Sequence, residues 1–253
     1  MRRPHITSAY DEDIDRLYTR ILTMGGRVEE AIAEAGKALE ARDDERAAAV
    51  VEADRTIDAL EDEINAEVVR TIALRQPTAG DLRTVVTVMK MAGDLERLGD
   101  YAKNMAKRVP VLAQSPGVDG AGAALRRQSK LVKLMLKDAL DAFARGDVDQ
   151  ARDVIQRDVE VDQMTNALFR EFLTHMMEDP RAITPCMHFL FISKNLERMG
   201  DHVTEICEQV IYLETGERAG TRPKGDVTAQ MTADATAPAP GQGAGQAMGQ
   251  GDA

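Results

Sequence analysis

Apolar residues recur at steps of three and four through most of the first 215 positions. Ile14, Leu17, Ile21, Leu22, Met24, Val28, Ala31, Ile32, Ala35 and Leu39 make one stripe. That period predicts an amphipathic helix over 8–41. Gly25-Gly26 is expected to weaken it locally. Arg42-Asp43-Asp44 reads as a turn with an Asp N-cap. A second helix follows over 44–74, with Val50, Ile57, Leu60, Ile64 and Val68 as its stripe. Asp54 stands where an apolar residue would continue the stripe, and Asp58 lies four residues on. Gln76-Pro77 ends this helix, and Thr78 with Asp81 has the form of a capping box with Asp in place of Glu. A third helix is predicted from there to Leu112. Val88, Met91, Leu95, Leu98, Ala102, Met105, Val109 and Leu112 alternate steps of three and four, a heptad seam.

After the Gly-rich stretch 115–122 the pattern repeats. An offset of 104 maps Val28 on Val132, Asp43 on Asp147, Val50 on Val154, Asp54 on Asp158 and Asp58 on Asp162. A loop three residues shorter changes the offset to 101, which maps Met91 on Ile192, Leu95 on Leu196 and Val109 on Val210. Thr184-Pro185 supplies an expected N-cap and N1 proline for the last helix. Each half is three long helices with short connections, so neighbours run antiparallel. The fold class is therefore all-α: two repeated three-helix bundles, 8–113 and 123–215, joined by a linker over 114–122 and related by a pseudo-twofold. The tail over 216–253 is Gly, Ala, Gln, Pro and Thr with almost no large apolar residue, and disorder is expected for it.

Composition agrees with helix. Aromatics are 4% and Trp is absent, while Ala, Leu, Glu, Arg and Met are plentiful. The net charge is −11. Nearly all of it lies in the helical body, which opposes binding to nucleic acid or anionic lipid. Cys186 and Cys207 form no CxxC pair and are read as buried thiols of a reducing cytosol. No signal peptide is recognised at the start, and no apolar run approaches the roughly 20 residues of a membrane span. A cytoplasmic protein without direct membrane insertion is expected.

Chemistry concentrates in four carboxylate pairs at i,i+4: Asp54/Asp58 and Glu96/Asp100 in the first half, Asp158/Asp162 and Glu197/Asp201 in the second. Each pair stacks on one helical face. Asn104 and Glu205 extend the third-helix rows by a turn. Antiparallel packing could bring the rows of each half face to face, and facing carboxylates need a neutralising partner. Mg²⁺, Mn²⁺, Ca²⁺ or iron suit such oxygen-rich donors better than tetrahedral zinc. Against this, isolated acidic pairs usually lie on solvated helix faces, and Arg97 and Arg198 follow the acids directly. Gly99 and Gly200 sit mid-helix, pointing to close helix packing or to room beside the acids. The histidines form no metal-spaced pair. His202 has Tyr101 as its counterpart and is read as a surface or packing residue. No ExxH, Walker, dinucleotide or nucleophile-elbow motif occurs, so no catalytic residue is assigned.

Leu-Glu-Arg-(Leu/Met)-Gly-Asp at 95–100 and 196–201, the segment Arg75-Gln-Pro-Thr-Ala-Gly-Asp-Leu-Arg83 and an Asp-xxx-Asp on each second helix resemble the PhoU family of phosphate-specific transport accessory proteins. Asp141-Ala-Phe-Ala-Arg-Gly-Asp147 and Met176-Met-Glu-Asp-Pro180 are similar to it as well. The resemblance spans 14–213 and implies two three-helix bundles. It implies a non-enzymatic, cytoplasmic negative regulator of phosphate uptake and of the phosphate-starvation response. Such a protein would be an adaptor between the ATPase of the phosphate ABC importer and the phosphate-sensing histidine kinase. It further implies metal ions (Fe, Mn, Mg or Zn, identity open) held by Asp54, Asp58, Glu96, Asp100, Asp158, Asp162, Glu197 and Asp201. Exposed helix faces allow self-association, and a homodimer is expected. The alternative is a carboxylate-rich metalloprotein or metalloenzyme of helical-bundle type.

Overall fold

A computed structural model describes residues 8–218, and every regular element among them is helical. Helix α1 is Ser8–Ala41 and α2 is Asp44–Arg75. Helix α3 is Gly80–Ala106, followed by a short α4, Val109–Ala113. The second half contains α5, Ala121–Arg145, α6, Val148–Glu178, and α7, Ile183–Thr215. The expected disorder over 216–253 falls largely outside the described residues.

Local chemistry sets most of these boundaries. Asp43 and its repeat mate Asp147 each cap the following helix, accepting from Arg46 N at 2.9 Å and Gln150 N at 3.0 Å. Gly146 and Gly216 close α5 and α7 in the left-handed conformation, φ 66° and 80°. Three expectations fail. The third helix does not run unbroken to Leu112: it breaks at Lys107–Arg108 and restarts with Pro110 in its first turn. A proline lacks the N–H and clashes with the carbonyl four residues back, so the break falls one turn upstream. Thr78 is not an N-cap; α3 begins at Gly80, with no side-chain cap on Ala79. Thr184 is not one either, because a single 3₁₀ turn, Pro180–Ala182, capped by Asp179, runs straight into α7 at Ile183. Gly25-Gly26 does not interrupt α1. A Cβ on Gly25 would overlap Leu140, so this glycine lets α1 approach α5 closely.

The predicted stripes are the core. Leu17, Ile21, Met24, Val28 and Ile32 of α1 and Met91, Leu95, Leu98 and Met105 of α3 are fully buried. So are Val132 and Leu136 of α5 and Ile192, Leu196 and Val203 of α7. Helices α1, α3, α7 and α5 form a ring in which each packs on the next, while α2 covers α1 and α3 and α6 covers α5 and α7. The pairings are the same in both halves, and the pairs α1/α5 and α3/α7 straddle the pseudo-twofold. One apolar core runs through both repeats. No helix among the described residues is long and apolar enough to cross a membrane.

Candidate functional site

In the first repeat the two acidic rows do face each other across α2 and α3. Asp54 breaks the stripe of α2 because its carboxylate is buried, at 4% exposure, with a cation beside it. Lys103 of α3 donates to Asp54 Oδ2 and also pairs with Asp100 Oδ1. Those two carboxylates, Asp100 first, hold the lysine above its usual range. Asp54 Oδ1 is buried with no hydrogen-bond partner. Asp58 and Glu96 complete the cluster. Each is raised above the ordinary carboxyl range, by desolvation first, then by Asp54 for Asp58 and by Asp100 for Glu96. The rows repel, as their spacing implied. The cation that Asp54 and Asp100 hold here is the protein's own ammonium group.

The second repeat copies the scaffold without the lysine. Its counterpart is the buried Thr204, whose hydroxyl donates to the Asp201 carbonyl at 2.7 Å. Asp158 is 1% exposed and lies against Gly200. A Cβ at Gly200 would run into Asp158 Oδ1, whereas one at Gly99 would meet Ile57 Cδ1 at 3.1 Å and Asp54 Oδ1 only at 3.5 Å. The two mid-helix glycines thus let α2 and α6 lie close against α3 and α7. Glu197 pairs with Lys194 one turn before it on α7, while Asp162 and Asp201 are half-buried.

The all-oxygen donor set suits a hard cation in both repeats. The fit differs between them. In the first repeat a metal would have to displace Lys103 from Asp54 and Asp100, although Asp54 Oδ1 offers a buried acceptor. In the second, Thr204 puts no charge in that place, and Asp158, Asp162, Glu197 and Asp201 would hold the ion.

A further cluster was not foreseen. His202 Nδ1 of α7 lies 3.1 Å from Asp94 Oδ1 of α3 and 3.2 Å from Glu205 Oε2. The reading of His202 as a surface or packing residue leaves out these two partners. Its ring also tilts against that of Tyr101, centroids 5.8 Å apart. Hydrogen bonding to Asp94 raises the imidazole's pKa, and desolvation, then Asp94, raises that of the Glu205 carboxyl. Asp94 is 108 residues from His202, and spacing along one helix could not reveal the pair.

Fold and site together define a duplicated helical bundle whose charged chemistry lies in carboxylate rows along its second and third helices. The model of the PhoU domain matches residues 21–109 and again 125–210. The chain belongs to the PhoU family. It is 43% identical over 232 residues to the phosphate-specific transport system accessory protein PhoU homolog of Rhizobium meliloti, covering 91% of this chain and 98% of that one. It is 44% identical over 227 residues to the homolog of the same name in Caulobacter vibrioides, 89% and 99% covered. The crystal structure of PhoU from Pseudomonas aeruginosa superposes with a TM-score of 0.79 at 39% identity, covering 82% of this chain and all of that one. The phosphate transport system regulatory protein PhoU from Streptococcus pneumoniae gives 0.77 at 32%, with 84% and 100% covered.

Proposed function

We propose that this chain is a non-enzymatic, cytoplasmic negative regulator of phosphate uptake and of the phosphate-starvation response. In this reading it is an adaptor between the ATPase of the phosphate ABC importer and the phosphate-sensing histidine kinase, and it works as a homodimer. One observation carries the reading: the match to phosphate-specific transport accessory proteins spans both repeats and nearly their whole length. The structure supplies surfaces suited to protein partners. Phe191 and Met187 of α7 are 50% and 42% exposed and line an apolar groove of about 260 Å³ with Phe169 and Leu190. Such exposed apolar surface commonly marks interaction sites.

The carboxylate rows support metal binding as part of the same reading. Asp158, Asp162, Glu197 and Asp201 form one set of ligands and Asp54, Asp58, Glu96 and Asp100 the other, with Lys194 and Lys103 as the ammonium groups a metal would displace. A bound divalent or iron cation would supply positive charge on an acidic face.

The test is a pull-down of the importer ATPase and the sensor kinase, with and without phosphate and Mn²⁺, alongside elemental analysis of the purified protein. The bait is the wild-type chain or a variant with Glu96, Asp100, Glu197 and Asp201 changed to Ala. Both partners are expected with the wild type, together with metal that the variant loses. Capture of neither partner under any condition would sink the adaptor reading. Equal metal in both proteins would sink the role of the rows.

A further inference from the structure

The three groups that meet at His202 come from both repeats. Asp94 is on α3 of the first; His202 and Glu205 are on successive turns of α7 in the second. One donor atom from each lies within 4.8 Å of the other two. A first-row transition ion sits about 2.0–2.2 Å from nitrogen and carboxylate oxygen, so donors around one ion lie about 3–4.4 Å apart. These separations leave room for an ion after small side-chain rotations. The donor set, one imidazole and two carboxylates, is of the kind that binds zinc, manganese or iron(II) and leaves coordination positions open for water.

Two more observations point the same way. The cluster opens into a cleft of about 540 Å³ that Glu61, Glu96 and Glu208 also line, with Lys90 and Arg97 as its basic residues. An incoming cation meets a net negative field there. The repeat also supplies an internal control. The offset of 101 pairs Asp94 with Asn195, His202 with Tyr101 and Glu205 with Asn104. All three ligand-type residues stand opposite neutral ones. The mates Tyr101 and His202 touch each other, so the pseudo-twofold passes beside the cluster and only one of the two symmetry-related positions carries donors.

We propose that Asp94, His202 and Glu205 form a divalent transition-metal site that joins the two repeats across the α3/α7 contact. It shares no residue with the four i,i+4 carboxylate pairs, although Glu205 extends the row of Glu197 and Asp201 by a turn, and it does not depend on those pairs binding metal. Without metal, a protonated imidazole would hold the two carboxylates together. With metal, the ion replaces that proton and fixes α3 against α7.

The experiment uses the full chain, stripped with chelator and titrated with Zn²⁺, alone and in competition with Mn²⁺. Nitrogen NMR of the wild-type imidazoles reads ligation at His202 directly, without any variant. A large shift of His202 Nδ1 is expected, saturating when one equivalent of zinc is bound at this site. Zinc-edge absorption should show one imidazole in the first coordination sphere. His202→Ala and the pair Asp94→Asn/Glu205→Gln should each weaken that equivalent at least about tenfold, the scale on which metal sites respond even to loss of a supporting group. Glu197→Gln/Asp201→Asn, which alters only a row, should leave the histidine signal in place, separating this site from the rows. Zinc that binds without moving the His202 resonance would overturn the proposal. So would no binding at all, which would leave the cluster an ion pair between the repeats.

Discussion

Replacing Lys103 with Met isolates the cation that the first repeat keeps for itself. The side chain of Asp54 is 5% exposed, and Lys103 is its hydrogen-bonding cation. Removing one partner of a buried pair costs about 3–5 kcal/mol, because the remaining charge stays desolvated. Lys103 at 21% and Asp100 at 32% exposure retain contact with water. That places the loss at the low end, about 3 kcal/mol. For a body of some 200 residues this corresponds to a fall in Tm of roughly 6–12 °C. Urea unfolding followed by circular dichroism at pH 7 measures it. Adding Asp54→Asn to the same chain removes the stranded charge and should restore most of the loss. The pH dependence has a definite sign. The lysine's pKa is raised on folding, so its contribution is complete below its unfolded value of about 10.5 and is lost as pH rises through the folded value. The lysine's titration should therefore narrow the gap between wild type and variant in alkali, while protonation of the carboxylates narrows it in strong acid. A Lys103→Met protein within about 0.5 kcal/mol of wild type, the range of unremarkable surface changes, would refute the reasoning.

The glycines make a matched pair. Gly200→Ala should cost about 1–3 kcal/mol, because the new methyl overlaps the carboxylate of the buried Asp158. Gly99→Ala should stay within about 1 kcal/mol of wild type, since its neighbours stand at 3.1 Å and beyond and helix propensity offsets the crowding. Equal losses in urea unfolding would contradict the difference in packing. His188 gives a second pH signature. Desolvation and the Arg108 guanidinium, 3.2 Å from its Nδ1, lower its pKa below 6.5. The unfolded chain then takes up the proton first, so stability is complete above pH 6.5 and falls as pH drops through the folded value. His202, raised by Asp94, acts in the opposite sense and loses its contribution as pH rises. His188→Asn should therefore flatten the loss of Tm between pH 7 and pH 5, and an unchanged slope would count against it.

The sequence carried the fold because its signals were local. Stripes at helical spacing became the core, and Asp43 and Asp147, one offset apart, became caps in both halves. The misses were events with two possible local outcomes. Pro110 ends a helix one turn before itself, and a threonine can cap a helix or lie inside its first turn. The site was legible only as far as one helix reaches. Spacing showed which acids share a face, and the stripe-breaking Asp54 marked a buried carboxylate. The same pattern could not show that Lys103 lies across from Asp54, because 49 residues separate them. Nor could it join Asp94 to His202, which meet only through the packing of one repeat on the other.

Duplication gave both halves the same backbone geometry, so their differences in chemistry must come from the few positions where side chains diverge beside the acids. At the offset of 101, Lys103 becomes Thr204 and Asn104 becomes Glu205. Each change makes the second repeat one unit more negative at an equivalent place. Tyr101 becomes His202 at the contact between the repeats, where an uncharged ring gives way to a proton or metal acceptor. The cations beside the acids differ as well: Asp54 and Asp100 of the first repeat hold Lys103, while Glu197 of the second pairs with Lys194 of its own helix. A cation entering the first row would have to displace Lys103 from Asp54 and Asp100, and one entering the second would have to displace Lys194 from Glu197. Any signal that depends on bound metal would then arise asymmetrically from a nearly symmetric fold.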